Sequence, residues 1–140
     1  MVIGYTQGTF DMFHIGHLNL LRNAKAQCDY LVVGVNSDEL VKEYKKMATI
    51  VPVRERMEIV GAIRYVDKVI ECDTLDKVNT QKKLKFNKLF IGDDWKGTAR
   101  WMKTEEEMCA LGIEVVYLPH TDGICSTILR EKLPDNEKEN

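Results

Sequence analysis

The stretch from Gly8 to His17 constrains the fold of this chain more than any other segment. It reads Gly-Thr-Phe-Asp-Met-Phe-His-Ile-Gly-His, with a short strand-like run at residues 2–6 before it and apolar residues at positions 18, 20, 21 and 24 after it. This pattern predicts a strand, a glycine-containing turn and a helix. Unpaired backbone N–H groups and the positive end of the helix dipole meet at such a turn, which therefore predicts an anion site suited to phosphate.

The alternation of strand and helix patterns continues along the chain. Strands are predicted at residues 2–6, 30–35, 66–70, 88–92 and 113–118, and helices after residue 16 and at residues 54–65, 75–84, 99–111 and 126–132. Short connections of this kind predict one α/β domain, residues 1–133, with a five-stranded parallel sheet and helices on both faces. Residues 41–51 lack a clean period and are expected to form a mobile basic loop, and residues 134–140 a disordered polar tail.

Size and charge narrow the class of protein. The chain has 140 residues, a formal net charge of −2, 44% hydrophobic residues and 30% charged residues. Without a global basic field, it is not expected to bind nucleic acid, and any anion site must be local. No apolar run approaches the roughly 18 residues that span a bilayer, and the N-terminus lacks a basic flank, so we expect a cytoplasmic protein without membrane insertion. The four scattered cysteines are expected to be reduced thiols.

Four strings along the chain together resemble those of one enzyme family. The first is His14-Ile15-Gly16-His17, of the form HxGH, and the later ones are Ile-Arg-Tyr-Val-Asp at 63–67, Ile-Gly-Asp-Asp-Trp at 91–95 and Thr-Asp-Gly-Ile-Cys-Ser-Thr at 121–127. In this order they resemble the small cytidylyltransferases of the nucleotidylyltransferase superfamily, most closely those that act on glycerol 3-phosphate. The family's fold is a Rossmann-like sheet, in agreement with the predicted strands and helices. The GxGxxG fingerprint of NAD-binding domains is absent from the sequence.

The resemblance implies a reaction, its substrates and a metal. A phosphate oxygen of a small phosphorylated alcohol, with glycerol 3-phosphate as the first expectation, would attack the α-phosphorus of CTP and give a CDP-alcohol and pyrophosphate. Mg²⁺ or another divalent cation would bind mainly through the CTP phosphates, not through protein ligands alone. Relatives are commonly homodimers, and we expect the same here. Such a reaction depends on positioning and charge neutralisation, so hydrogen-bond donors and cations matter more than a nucleophile.

The first string supplies most of the expected nucleotide site. By resemblance, the nucleotide contacts from this string are Gly8, Thr9, Phe10, Asp11, His14, Gly16 and His17. His14 and His17 are expected to be the catalytic donors, with the protonated imidazole favoured beside phosphates. The negative charge of Asp11 would repel a triphosphate unless this residue caps the turn or helps to hold Mg²⁺. We expect the structural role, in which it caps the turn.

Further cations are expected from two other places. In the relatives a lysine of the 41–51 segment contacts phosphate, and Lys45 and Lys46 are the catalytic candidates here. Arg64 of the Arg-Tyr-Val-Asp string is expected to bind the acceptor phosphate and to be held by the carboxylate of Asp67, because a guanidinium fork suits phosphate well. The alternative for this pair is a salt bridge at a helix end.

The last two strings complete the expected nucleotide site. Asp94 is expected to contact nucleotide or metal, and Trp95 is expected either in the pocket wall or in the core. The family reads Arg-Thr-Glu-Gly-Ile-Ser-Thr-Thr where this chain has His-Thr-Asp-Gly-Ile-Cys-Ser-Thr at 120–127. The remaining nucleotide contacts implied by the resemblance are His120, Thr121, Gly123, Ile124, Ser126 and Thr127. Histidine in place of arginine removes a permanent cation and a bidentate donor, which bears on acceptor identity, nucleotide affinity or pH optimum.

Two other functions fit the same patterns. One is an adenylyltransferase of the same superfamily with FMN or pantetheine phosphate as acceptor, because base choice rests on pocket contacts. The other is a CTP-binding regulatory module with degraded catalysis, marked by the missing arginine. For the cytidylyltransferase itself, the open acceptors besides glycerol 3-phosphate are another polyol phosphate, phosphocholine and phosphoethanolamine.

Overall fold

Strands and helices alternate along the chain in the computed structural model, which describes residues 1–45 and 47–121. The strands are β1 (Ile3–Gly8), β2 (Tyr30–Asn36), β3 (Lys68–Cys72), β4 (Lys88–Gly92) and β5 (Glu114–Leu118). The helices are α1 (Ile15–Lys25), α2 (Asp38–Lys45), α3 (Val53–Gly61), α4 (Lys77–Leu84) and α5 (Ala99–Ala110), and a 3₁₀ turn at Asp93–Trp95 follows β4. The predicted alternation is confirmed for the five strands and for the four predicted helices that connect them within the described residues. Within the described ranges, none of the helices has the length and apolar character needed to cross a bilayer.

The five strands form one parallel sheet in the order β3-β2-β1-β4-β5. The central strand, β1, pairs with β2 from Ile3 to Gly8 and with β4 from Gly4 to Thr6. The chain therefore leaves β1 toward one edge of the sheet and later returns to build the other edge. In open α/β sheets, ligands bind outside the carboxyl ends of the strands at this switch in strand order.

Strand β2 shows why helices cover both faces of the sheet. Leu31, Val33 and Val35 belong to a core cluster shared with α1 and α3, whereas Val32 belongs to a second cluster with Trp101 of α5. Successive side chains of a strand point to opposite faces, so a continuous apolar run is buried on both sides. The prediction of helices on both faces is confirmed.

Helix α2 corrects the prediction of a mobile basic loop at residues 41–51. The chain is helical from Asp38 to Lys45, with Leu40 and Val41 buried and the Ser37 hydroxyl accepting a hydrogen bond from the Leu40 N–H. The segment predicted to be a loop began at residue 41, so it left out the Ser37 cap and the first three residues of the helix. The five helical residues that remained were too few to show a helical period. Helix α3 ends at Gly61, four residues before the predicted end at residue 65. The predicted helix at residues 126–132 and the tail at 134–140 lie outside the described residues.

Candidate active site

A cavity of about 500 Å³ opens along the carboxyl edge of the sheet. It collects most of the predicted site residues: Gly8, Thr9, Phe10, Asp11, His14, Gly16, His17, Lys45, Asp94, Trp95, His120 and Thr121. Lys46, Gly123, Ile124, Ser126 and Thr127 lie outside the described residues. Each strand contributes lining residues at or just beyond its carboxyl end, because parallel strands all end at the same edge.

The turn between β1 and α1 has an unusual backbone. Phe10 and Met12 adopt left-handed conformations with φ of 54° and 50°, a region that non-glycine residues visit rarely. The Phe10 side chain is 5% exposed and packs in the core cluster of α1 and α3, which offsets the strain. A Cβ at Gly8 would lie 3.1 Å from the Phe10 ring, so the turn is tightly packed against the strand end. This backbone leads into the N-terminus of α1 at the cavity.

The two histidines of the turn form a capping box at the start of α1. His14 is the N-cap residue, and its Nδ1 accepts a hydrogen bond from the Gly16 N–H at 3.0 Å, while Nδ1 of His17 accepts one from the His14 N–H at 3.2 Å. The imidazole rings stack with centroids 3.8 Å apart. Because both Nδ1 atoms are acceptors, each neutral ring carries its proton on Nε2. Nε2 of His14 is buried and has no hydrogen-bond partner among residues 1–45 and 47–121.

Both histidines are held neutral in the free protein, whereas the expectation of protonated imidazoles concerns a site with phosphates bound. Burial lowers the pKa of His14, and burial together with the neighbouring His14 and Lys45 lowers the pKa of His17 to about 3. Removal from water and nearby positive charge both disfavour the imidazolium form. In the free protein, each ring is therefore neutral and carries its N–H group at Nε2.

Asp11 has the structural role expected for it, although with a different partner segment. It is 4% exposed, and its two carboxylate oxygens accept hydrogen bonds of 2.8 Å from the backbone N–H groups of Ile50 and Val51. The carboxylate thus ties the β1–α1 turn to the segment that precedes α3. Short bonds of this kind from two backbone donors hold a carboxylate in place.

A largely buried hydrogen-bond network forms the cavity wall beside β2, and the sequence patterns assigned only its Thr9 to the site. The Gln7 amide donates to Asn36 Oδ1 at 2.8 Å, and the Asn36 amide donates to the Tyr44 hydroxyl at 3.0 Å. The Thr9 and Tyr44 hydroxyls lie 3.0 Å apart. All four residues line the cavity. The sequence signal that could have marked Gln7 and Asn36 was their position near the carboxyl ends of β1 and β2.

Arg56 was also missed, and it holds the wall of the site together. It is 1% exposed and donates to the backbone carbonyls of Thr9, Asn36 and Val51 at 2.7, 2.8 and 2.7 Å. Its remaining terminal nitrogen pairs with Asp38 at 2.7 Å, and the hydrogen bonds at Asp38 lower the pKa of that carboxyl despite its partial burial. Arg56 lies four residues before the buried Val60 on α3, and this helical spacing was the signal that could have marked it.

Arg64 is not brought to the cavity, and the predicted pair with Asp67 is wrong. The Arg64 guanidinium donates to the Tyr65 hydroxyl at 2.9 Å, and it is absent from the described lining of the cavity. Asp67 instead pairs with Lys25 and accepts the Leu31 N–H at 2.8 Å. Asp67 therefore fastens the start of β2 to α1. Asp67 does form a salt bridge near a helix end, but its partner is Lys25, the last residue of α1, and not Arg64.

The opposite side of the cavity is built by residues that follow β4 and β5. Asp94 and the 37%-exposed Trp95 line it, so the pocket-wall alternative for Trp95 is confirmed. The His120 Nδ1 atom lies 2.7 Å from Asp93 Oδ1, which joins the end of β5 to the 3₁₀ turn. This hydrogen bond lowers the pKa of Asp93. The replacement of the family's arginine by His120 thus places a paired histidine at the cavity.

Two basic residues that the sequence patterns did not single out also line the cavity. Lys77 begins α4 and is 7% exposed, and Arg100 lies in the first turn of α5 with its guanidinium 5.0 Å from the Trp95 ring centroid. Burial and the charge of Arg100 lower the pKa of Lys77 to about 8. Nothing in their local sequence marks them, because their proximity depends on how α4 and α5 pack.

The described residues offer no ready-made metal centre. No group of three or more His, Cys, Asp or Glu side chains among residues 1–45 and 47–121 has the geometry to hold a metal ion. Asp94 is a carboxylate of the cavity lining that could supply a single oxygen ligand. Within the same ranges Cys28, Cys72 and Cys109 are free thiols, and Cys125 lies outside them.

Comparison with known proteins identifies the family. The cytidylyltransferase-like family model matches residues 5–132. The chain belongs to this family. Glycerol-3-phosphate cytidylyltransferase of Bacillus spizizenii is 40% identical over 131 residues, which cover 91% of this chain and 94% of the relative. FAD synthase of Pyrococcus abyssi is 37% identical over 114 residues, covering 81% of this chain and 77% of that protein.

A solved structure supports the Rossmann-like fold of this cytidylyltransferase-like chain. The lipopolysaccharide core biosynthesis protein of Thermoplasma volcanium superposes with a TM-score of 0.72 at 25% identity. The match covers 86% of this chain and 97% of the other. The family assignment and the superposition agree with the fold predicted from the strand and helix patterns.

Proposed function

We propose that this protein is a cytidylyltransferase that transfers CMP from CTP to a small phosphorylated alcohol, with glycerol 3-phosphate as the acceptor. The family and its named relatives supply the reaction class. The donor arrangement at the N-terminus of α1 supports it most strongly. There, a tautomer fixed by Nδ1 leaves the buried Nε2–H of His14 without a partner in the described structure. A buried donor of this kind is costly unless a ligand accepts its hydrogen bond.

The cavity can perform the transfer by positioning and by stabilising charge. A phosphate oxygen of the acceptor forms a bond to the α-phosphorus of CTP, the bond from that phosphorus to the β-phosphate bridging oxygen breaks, and pyrophosphate leaves. The N-terminus of α1 and the Nε2–H groups of His14 and His17 would donate to phosphate oxygens as charge shifts to the leaving group. Lys45, which also lines the cavity, would add positive charge.

Mg²⁺ is part of the same proposal. The described residues contain no cluster that could hold the ion alone, so CTP phosphates would supply most of the ligands, and Asp94, one of the carboxylates that line the cavity, could supply another. Such a cation would neutralise triphosphate charge in the transition state. A homodimer, carried over from the family, remains a prediction that sedimentation equilibrium would test.

A second candidate is an adenylyltransferase that acts on a flavin phosphate. The similarity to FAD synthase favours it, and the fold is compatible with either nucleotide. The higher identity and larger coverage of the glycerol-3-phosphate cytidylyltransferase of Bacillus spizizenii favour the first candidate.

Pyrophosphate release in the presence of Mg²⁺ tests both candidates together. CTP or ATP would be paired with glycerol 3-phosphate, ribitol 5-phosphate, phosphocholine, phosphoethanolamine or FMN. We expect turnover with CTP and glycerol 3-phosphate. Turnover with ATP and FMN would replace the proposal with the second candidate, and CTP binding without turnover of any acceptor would support a regulatory module.

A further inference from the structure

The hydrogen-bond network in the cavity wall beside β2 has a direction that one backbone carbonyl fixes. The Gln7 side chain lies 2.9 Å from the Thr74 carbonyl oxygen, which can only accept, so the Gln7 atom at this contact is the amide nitrogen. The same nitrogen lies 2.8 Å from the Asn36 side chain, whose facing atom is therefore Oδ1. The amide nitrogen of Asn36 then faces the Tyr44 hydroxyl at 3.0 Å. Gln7 and Asn36 are both buried, so water does not replace these bonds.

The Tyr44 hydroxyl lies between Asn36 and Thr9. Its oxygen accepts the hydrogen bond from the Asn36 amide and lies 3.0 Å from Oγ1 of Thr9. The O–H of a phenol is more acidic than that of an alcohol and is the better donor, so the hydrogen between the two oxygens belongs to Tyr44. The Asn36 amide also donates to Thr9 Oγ1, at 3.5 Å. Oγ1 of Thr9 therefore acts as an acceptor toward the network, and its own hydrogen is left to donate.

The remaining hydroxyl hydrogen of Thr9 has no acceptor among residues 1–45 and 47–121. Thr9, Asn36 and Tyr44 all line the cavity, so a ligand in the cavity can meet this hydrogen. A hydroxyl can either donate or accept, but the network uses the oxygen of Thr9 as an acceptor and leaves the donor. This wall of the cavity therefore favours an oxygen atom of a ligand at Thr9.

Lys45 adds positive charge beside this pair of hydroxyls. Its ammonium nitrogen lies 5.8 Å from the Tyr44 ring centroid, and the residue lines the cavity. The same charge acts on His17, where it contributes to the lowered pKa of the imidazole. Thr9 belongs to the turn that leads into the N-terminus of α1, which favours anions. A cation and several hydrogen-bond donors around one place suit an anion with many oxygen atoms, such as a polyphosphate.

We propose that Tyr44 is a positioning residue for the triphosphate of the nucleotide: its hydroxyl orients the Thr9 hydroxyl so that Thr9 donates to a phosphate oxygen. This inference rests on the proposed function, which brings a nucleoside triphosphate to the cavity. Without the Tyr44 hydroxyl, the Thr9 hydroxyl can rotate away from the ligand, and its orientation must be restored at the expense of affinity. The base takes no part in this contact, so the effect of Tyr44 is the same for any ligand with the same phosphates.

Substitution of Tyr44 tests this role with a ligand that has phosphates but no base. Inorganic tripolyphosphate and, separately, CTP are titrated calorimetrically in the absence of an acceptor. For Tyr44→Phe, we expect the Kd for tripolyphosphate to rise about 3- to 10-fold, the range for one neutral hydrogen bond, and the Kd for CTP to rise by the same factor. Tyr30→Phe is the matched control, because Tyr30 begins β2 and is absent from the described lining of the cavity.

A double-mutant cycle separates orientation of Thr9 from a general structural role of Tyr44. Thr9→Val removes the donor and should weaken tripolyphosphate binding at least as much as Tyr44→Phe does. Because Tyr44 acts through Thr9, adding Tyr44→Phe to Thr9→Val should change the Kd less than about twofold. A structural role would instead lower the affinity by the same factor in both backgrounds. Thr9→Ser keeps the hydroxyl and should retain both the affinity and the effect of Tyr44→Phe.

The binding measurements are independent of turnover, which keeps the outcomes distinguishable. A coupled loss of tripolyphosphate affinity, in a protein whose wild type turns over no acceptor, would sustain this inference and reject the proposed function. Unchanged affinity in Tyr44→Phe, equal effects of Tyr44→Phe with and without Thr9→Val, or no binding of tripolyphosphate by wild type would overturn the inference. Each of these three results would do so even if wild type turns over CTP and glycerol 3-phosphate.

Discussion

His14 uses one ring nitrogen to cap α1, and its other ring nitrogen is the donor that we propose for the nucleotide. Its Nδ1 caps α1 by accepting the Gly16 N–H, which fixes the proton on Nε2, and that nitrogen is buried without a described partner. A side chain that caps the helix but places no donor at the position of Nε2 would therefore separate the two tasks. Asparagine meets this description, because its amide oxygen is among the best N-cap acceptors and its amide nitrogen does not reach as far as Nε2 of histidine.

We predict that His14→Asn keeps the fold and loses the reaction. Its kcat/KM should fall on the order of a hundredfold, the typical effect of removing one preorganised transition-state donor. Its melting temperature should stay near that of wild type, whereas His14→Ala should also lose about 1 kcal/mol of stability with the cap. Steady-state kinetics and thermal melting of both variants provide the check. Activity above a tenth of wild type in His14→Asn would remove the Nε2 donor from the mechanism.

His17 makes stability depend on pH in a defined window. Its pKa is about 3 in the folded protein against a usual value of 6.5. Between these values the unfolded chain binds more protons than the folded one, so stability falls as pH drops below about 6.5. Between pH 6.5 and pH 5, one such histidine lowers the free energy of unfolding by about 2 kcal/mol, because each pH unit contributes up to about 1.36 kcal/mol.

Urea unfolding at pH 7.5 and 5.0 tests this prediction. Wild type should be less stable at pH 5.0, and His17→Asn, which cannot be protonated there, should lose less of its stability between the two pH values. Asp38 and Asp67 have lowered pKa values and stay ionised over this range. An equal loss in wild type and His17→Asn would show that the His17 imidazole is not buried neutral.

At the scale of secondary-structure elements, β2 and α3 tolerate added atoms very differently. A Cβ built at Gly34 in the middle of β2 would lie 2.3 Å from the Tyr5 hydroxyl and 2.6 Å from Cys72 Sγ. Tyr5 is fully buried and donates to Gln7 at the cavity wall. At Gly61, the last residue of α3, the nearest atom is 3.5 Å away on Val69.

We predict opposite effects for two glycine-to-alanine changes. Gly34→Ala should destabilise the protein by about 2 kcal/mol, because overpacking displaces Tyr5 and the network behind the site. Gly61→Ala should stabilise it by about 0.5 kcal/mol, since alanine favours the helix and reduces the entropy of the unfolded chain. Chemical denaturation of the two variants measures both effects. A neutral Gly34→Ala would mean that the sheet relaxes around Tyr5 without cost.

At the scale of the whole molecule, the cavity joins both halves of the sheet. Lining residues follow the central strand, the β2–β3 side and the β4–β5 side. A ligand that contacts several of these elements binds the folded chain and not the unfolded one. Its binding energy therefore adds to the stability of the whole domain.

CTP should raise the melting temperature more than ATP does. A ligand at a hundred times its Kd adds about 2.7 kcal/mol to the free energy of unfolding. For a domain of this size, this raises the melting temperature by roughly 8 °C. Thermal melting with equal concentrations of CTP and ATP makes the comparison, and Lys45→Met should weaken the effect of both through loss of a phosphate cation. Equal shifts with CTP and ATP would mean that this cavity does not select the base, and a larger shift with ATP would favour the adenylyltransferase candidate.

Local patterns in the sequence were sufficient for the fold and for the centre of the site. Apolar periodicity fixed the order of strands and helices, because each element buries one face or stripe, and alternating strands and helices favour a parallel sheet. The HxGH turn was located because strand end, turn and helix start are contiguous in the chain. Helix α2 was missed because it has only eight residues and its capping Ser37 precedes the segment that was predicted to be a loop.

The tertiary structure decided everything that depends on residues far apart in the chain. It paired Asp67 with Lys25, left Arg64 outside the cavity, and joined His120 to Asp93. It also set the tautomers and pKa values of the two histidines through packing, and placed Lys77 against Trp101 at the cavity. Local sequence specifies which groups are present, but hydrogen-bond partners and desolvation arise only when distant segments pack together.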